Sequence, residues 1–69
     1  MNKFDVLKFE IQQIIDSIAT KNLEVARSQY AETSELLDEI LDHLDDDADL
    51  IEISKYQVLL NKLFIEIAP

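Results

Sequence analysis

The stretch LDHLDDDADLIE, residues 41–52, holds five aspartates and one glutamate but no lysine or arginine. Because of the helix dipole, acidic side chains are unfavourable at the carboxyl end of a helix and favourable at the amino end. The stretch therefore predicts a junction among Asp45, Asp46 and Asp47, where one helix ends and another begins. Asp49 and Glu52 have the spacing of a capping box for the helix that follows.

Apolar residues recur at intervals of three and four on both sides of this junction, as in amphipathic helices and unlike alternating strands. The three runs are Phe4, Leu7, Ile11, Ile14 and Ile18; Leu23, Ala26, Tyr30, Thr33, Leu37, Ile40 and Leu44; and Leu50, Ile53, Gln57, Leu60, Phe64 and Ile67. We predict helices over about 3–20, 23–45 and 49–67, with Asn22 capping the second. Gln57, the polar member of the third run, either fixes helix pairing or lies at an exposed edge.

Both predicted connections are very short, so neighbouring helices should run antiparallel. We expect an all-α, up-down-up three-helix bundle that forms a single domain over residues 1–69. The composition supports this fold, because the chain has no glycine and its only proline is Pro69. Sheets rely on glycine at tight turns, whereas helix interiors gain from its absence. The chain also lacks cysteine, which excludes disulfides and thiolate-bound zinc.

The third predicted helix carries a second apolar stripe beside its main face. Ile51, Val58 and Ile65 recur every seven residues and form this stripe. A chain of 69 residues builds only a thin core. We therefore expect the stripe to pack against a second copy, giving a homodimer through the third helix. The alternative is that these are scattered exposed aliphatic residues, which are common on small proteins.

The negative charge is concentrated in one part of the chain. Residues 28–54 contain ten acidic residues and no lysine or arginine, whereas the rest of the chain holds five acidic and six basic residues. The acidic residues that we place opposite the apolar seam of the second helix are Glu24, Glu35, Asp38, Glu39, Asp42 and Asp46, with Glu32 at the edge. The predicted partner-binding acidic face consists of Glu32, Glu35, Asp38, Glu39, Asp42 and Asp46. This acidic face is either a solubilising surface or a docking surface for a basic partner.

These features favour an interaction protein over an enzyme. We expect a self-associating adaptor, chaperone-like or inhibitor-like module that binds a basic or amphipathic partner segment. The alternative is an acidic mimic of nucleic acid that blocks a DNA-binding protein. Direct binding to nucleic acid or to anionic membranes is disfavoured, because both depend on Lys and Arg. The chain shows no signal-peptide pattern and no apolar run of membrane-spanning length, which favours the cytoplasm.

The acidic junction does not have the sequence of a calcium-binding loop. Asp45, Asp47 and Asp49 match the first, third and fifth positions of an EF-hand, but Leu50 stands where glycine is needed. Tyr56 stands where the loop needs a bidentate glutamate. We therefore predict no metal site in this stretch.

His43 is the only histidine of the chain. Glu39 lies one turn before it, so the two side chains could touch a metal together. A di-metal site in a helical bundle needs a second histidine, which this chain lacks. We interpret His43 as a boundary residue on the flank of the second helix. No catalytic residue and no cofactor are predicted.

Overall fold

The computed structural model describes residues 4–68 and contains three α-helices and no strand within that range. Helix α1 spans Asp5–Ala19, α2 spans Leu23–Asp42 and α3 spans Asp47–Ile67. Each helix contacts the other two, and the molecule measures 37 × 23 × 15 Å. The prediction of an all-helical protein with three helices is confirmed. The predicted start of the first helix, at about residue 3, lies outside the described residues.

The acidic junction separates α2 from α3, but both helix boundaries differ from the prediction. Helix α2 ends at Asp42 rather than near residue 45, so Asp45 and Asp46 lie outside the helix. Helix α3 begins at Asp47 because the Asp46 side chain accepts a hydrogen bond from the Ala48 backbone N–H at 2.9 Å. The predicted capping box at Asp49 is therefore wrong, since Asp49 lies inside the first turn.

The turn between α1 and α2 is closed by two backbone hydrogen bonds. The Asn22 N–H donates to the Ser17 carbonyl at 2.8 Å, and the Lys21 N–H donates to the Ile18 carbonyl at 2.9 Å. This pattern is a Schellman motif, in which one residue adopts the left-handed conformation. Lys21 is that residue, with φ of 61°. Asn22 occupies the N-cap position of α2 as predicted, but its side chain makes no capping hydrogen bond.

The core is built from one face of each helix. The buried side chains are Phe4, Leu7, Ile11, Ile14, Ala26, Thr33, Leu37, Ile53, Leu60, Leu63 and Ile67. Those that precede α3 all belong to the first two predicted runs. The other members of these two runs are half-buried and pack against the core, namely Ile18, Leu23, Tyr30, Ile40 and Leu44. The buried Thr33 hydroxyl donates to the Gln29 carbonyl at 2.8 Å, so this polar group is satisfied.

The buried face of α3 is rotated relative to the predicted one. Gln57 is exposed and Phe64 is 50% exposed, whereas Leu63 is buried and Tyr56 is half-buried. The face that points inward is Ile53, Tyr56, Leu60, Leu63 and Ile67, which also has spacings of three and four. Both possible faces share Ile53, Leu60 and Ile67, so the periodicity alone does not decide between them. Of the two roles considered for Gln57, the structure places it at the exposed edge.

Among residues 4–68, ring contacts and a side-chain hydrogen bond help to join α3 to the other two helices. The Phe4 and Tyr56 rings lie 5.8 Å apart, and the Tyr30 and Phe64 rings lie 5.4 Å apart, centroid to centroid. Such separations are favourable for aromatic pairs. The Arg27 Nε–H donates to the Ile67 carbonyl at 2.7 Å. Arg27 thus supplies a positive charge at the carboxyl end of α3, whose own last turn contains no basic residue.

Candidate functional site

The apolar stripe predicted on the third helix lies on the side of α3 turned away from the core. Ile51 is 64% exposed, Val58 is 53% exposed and Ile65 is 75% exposed. With 3.6 residues per turn, the direction of these three side chains is roughly 180° from that of the buried face. We call these three residues the outer stripe. Helices α1 and α2 pack against the buried face of α3, on the side opposite the outer stripe.

Polar residues border the outer stripe on both sides. Ser54 and Asn61 lie between the stripe and the half-exposed Phe64, and Lys55 and Lys62 lie on the far side. All four of these polar residues are exposed. Exposed apolar side chains surrounded by polar residues are typical of protein interaction sites.

All six residues of the predicted acidic face are exposed. Five of them lie on α2, at positions three or four residues apart along its outer side. Asp46 differs, because it lies beyond the end of α2 and its carboxylate caps α3. It therefore does not share the helical face that the sequence assigned to it. The helical part of the acidic face consists of Glu32, Glu35, Asp38, Glu39 and Asp42.

Within residues 4–68, no hydrogen bond or ion pair engages these five carboxylates. The basic residues nearest in sequence are Arg27 and Lys55, and the Arg27 side chain is directed to the end of α3. Like charges at these helical spacings disfavour the helix by a few tenths of a kcal/mol per pair. The outer side of α2 therefore carries a negative potential that local basic residues do not neutralise.

An open groove lies at the carboxyl end of α2, beside the acidic face. Its volume is about 240 Å³, and its lining consists of Leu36, Glu39, Ile40, His43 and Leu44. The three aliphatic side chains are half-buried and pack against the core, whereas Glu39 and His43 are exposed at the rim. The sequence analysis placed His43 on the flank of the second helix but did not predict a groove. The sequence feature that could have indicated the groove is the spacing of Leu36, Ile40 and Leu44, which are four positions apart.

The acidic junction is not arranged as a metal loop. Asp47 and Asp49 lie in the first turn of α3, so they cannot curl around an ion with Asp45 as EF-hand residues do. In the described part of the chain, no three His, Cys, Asp or Glu side chains are grouped so that they could hold a metal ion. None of the three helices, searched over the same residues, is long and apolar enough to cross a membrane.

A comparison with protein-family models, with curated proteins and with solved structures finds no match to this chain. The structure therefore defines the fold class of this protein, and no family is assigned. It is an all-α protein of three helices with an outer stripe on α3 and an acidic face on α2.

Proposed function

We propose that this chain is a protein–protein interaction module. It associates with itself through the outer stripe and binds a basic or amphipathic segment of another protein along the acidic face. The observation that carries the proposal is the double apolar character of α3. One face of this helix is buried in the core, and Ile51, Val58 and Ile65 on the opposite face are more than half exposed.

The proposal includes an up-down-up course of the three helices. The Tyr30–Phe64 ring contact and the Arg27–Ile67 hydrogen bond support an antiparallel α2–α3 pair, since both join the first half of α2 to the last turns of α3. The hydrogen bond from the Ser17 hydroxyl to the Gln29 side chain, at 2.8 Å, supports the same relation between α1 and α2. In this course, the outer stripe and the acidic face are on two different helices.

Self-association through α3 is supported by the symmetry of the outer stripe. Val58 is its centre, and Ile51 and Ile65 lie seven residues before and after it. Two copies of α3 that pair antiparallel around Val58 would place Ile51 of each copy beside Ile65 of the other. Such a self-complementary patch is what a two-fold dimer requires. Burial of these aliphatic side chains would add apolar contacts to a thin core.

Binding of a basic partner is supported by the five free carboxylates on α2. A segment with lysines or arginines would find no competing positive charge there, and complementary charge accelerates encounter and selects among partners. We expect this binding to weaken as salt is added, because exposed charges are screened over about 10 Å at 0.1 M ionic strength.

The experiment for the partner surface compares two variants of equal charge. One carries Glu35→Gln, Asp38→Asn and Asp42→Asn on the acidic face. The matched control carries Asp16→Asn, Asp47→Asn and Glu66→Gln, which are exposed acidic residues on α1 and α3. Affinity capture from cell extract with the control should retain the basic partners of the wild type, whereas capture with the acidic-face variant should lose them.

Equal recovery of the same partners by both variants would contradict the partner surface and leave the acidic face as a solubilising surface. Circular dichroism of both variants verifies that they remain folded. Asp46 is left unchanged so that the cap of α3 is preserved. The same capture, repeated with duplex DNA as competitor, tests the second candidate, an acidic mimic of nucleic acid. The row of free carboxylates favours this candidate, which predicts that DNA displaces the captured protein.

A further inference from the structure

We infer that the groove at the carboxyl end of α2 receives one apolar side chain of the basic partner. This inference rests on the proposed function, because it takes the acidic face as the surface that attracts the partner. It adds the position at which the partner is anchored and the chemistry of the anchoring residue, which is a large aliphatic or aromatic side chain flanked by Lys or Arg.

The size and lining of the groove suit a single side chain. Its volume of about 240 Å³ lies below the roughly 300–1,000 Å³ of clefts that hold cofactors and drug-sized molecules. Leu36, Ile40 and Leu44 form its apolar lining and are held in place by their packing against the core. A groove whose lining is fixed by the core can bind an apolar side chain with little loss of conformational entropy.

Charge complementarity identifies the occupant as a basic segment. Glu39 forms part of the rim, and Glu35 and Asp42 lie one turn before and after it on the acidic side of α2. No lysine or arginine occurs in residues 28–54 to balance these acids. A second copy of the chain, with net charge −9, would bring further negative charge to this site. An amphipathic helix with basic residues around its apolar side chain instead meets carboxylates at helical spacing.

The test uses a helical peptide of leucines and lysines as the probe and methyl NMR of the full chain as the readout. We expect saturable shifts in the methyl signals of Leu36, Ile40 and Leu44. A control peptide with alanine in place of each leucine should leave these methyl signals unmoved and bind about tenfold more weakly. The measurement on the wild type needs no substitution, so it does not depend on a variant that folds.

A pair of variants tests the same point by affinity. Leu36→Asn places an amide in the groove and should weaken binding of the leucine–lysine peptide about tenfold. Val25→Asn is the matched control, since Val25 is an exposed residue of α2 outside the groove, and it should leave the affinity unchanged.

The outcomes separate the inference from the proposed function. If the peptide binds and shifts only amides of the acidic face, the groove is not the anchoring site and the proposed function stands. If it shifts only the methyl signals of the outer stripe, both the inference and binding of basic segments by the acidic face are contradicted. An equal loss of affinity for Leu36→Asn and Val25→Asn would also overturn the inference. If the peptide does not bind at all, both the inference and binding of basic segments by the acidic face are contradicted.

Discussion

Lys21 shows how single residues of this chain carry backbone strain. It occupies the left-handed position of the α1–α2 turn, with φ of 61°, in a chain that has no glycine. A residue with a Cβ pays roughly 1–2 kcal/mol in this conformation, whereas glycine does not. The absence of glycine supports the helical prediction, yet it also leaves the turn without the residue that suits it best.

We predict that Lys21→Gly raises the free energy of unfolding by about 1 kcal/mol, because it relieves the left-handed strain. The measurement is urea denaturation followed by circular dichroism. Lys8→Gly, at an exposed position within α1, is the control and should lower the free energy of unfolding by about 1 kcal/mol. A destabilisation of similar size in both variants would contradict the role of Lys21 in the turn.

Glu10 has an unsatisfied polar atom. Within residues 4–68, its Oε2 atom is buried and has no hydrogen-bond partner. Leaving a buried polar atom unsatisfied costs about 1–3 kcal/mol. We predict that Glu10→Met, which keeps the length of the side chain, raises the free energy of unfolding by about 1 kcal/mol. Gln13→Met at an exposed position of α1 should change it by less than about 0.5 kcal/mol. Thermal or urea unfolding of the two variants measures these changes. A lower free energy of unfolding for Glu10→Met than for the wild type would refute the prediction.

At the scale of the elements, the periodicity predicted the three helices and the inward faces of α1 and α2. It did not determine the rotation of α3, because this helix has apolar residues on two neighbouring faces. Tyr56 and Leu63 belong to the face that is buried, and Phe64 belongs to the face predicted from the sequence. The choice is made by tertiary packing, such as the contact of Phe4 with Tyr56 on the inward face. Amphipathic patterns are decisive only where one side of a helix is polar, and α3 is apolar on two sides.

The rotation of α3 gives a prediction about neighbouring residues. Leu63→Ala should lower the free energy of unfolding by about 3 kcal/mol, because it leaves a cavity in the core. Phe64→Ala should lower it by only about 1 kcal/mol, because half of this side chain is already exposed. Urea denaturation of both variants measures the difference. A larger loss for Phe64→Ala than for Leu63→Ala would restore the face predicted from the sequence.

The helix junction was predictable in position but not in detail. An acidic block between two apolar periodicities indicates a helix end followed by a helix start. Which aspartate caps α3 was not predictable, because Asp45, Asp46, Asp47 and Asp49 all have the side chain of a good N-cap residue. The N-cap residue is set by the backbone conformation, and Asp46 has the extended φ and ψ, −100° and 128°, of an N-cap residue.

At the scale of the whole molecule, the exposure of the outer stripe and of the five acidic-face residues on α2 could be predicted, since each depends on residue spacing along one helix. The position of Asp46 could not, because it lies beyond the end of α2. The groove could not, because it depends on where α2 ends and on how His43 and Leu44 leave the helix. The two predicted surfaces should respond to salt in opposite directions. Each copy carries a net charge of −9, so screening favours self-association and disfavours binding of a basic partner.

Sedimentation velocity at micromolar concentrations tests self-association through the outer stripe most directly. We predict that the wild type sediments as a dimer of the 8.0 kDa chain, and that Val58→Glu sediments as a monomer because it places a charge at the centre of the stripe. Val6→Glu is the matched control, since Val6 on α1 is 46% exposed against 53% for Val58, and it should remain dimeric. A monomeric wild type across this concentration range, or a dimeric Val58→Glu variant, would contradict the proposal.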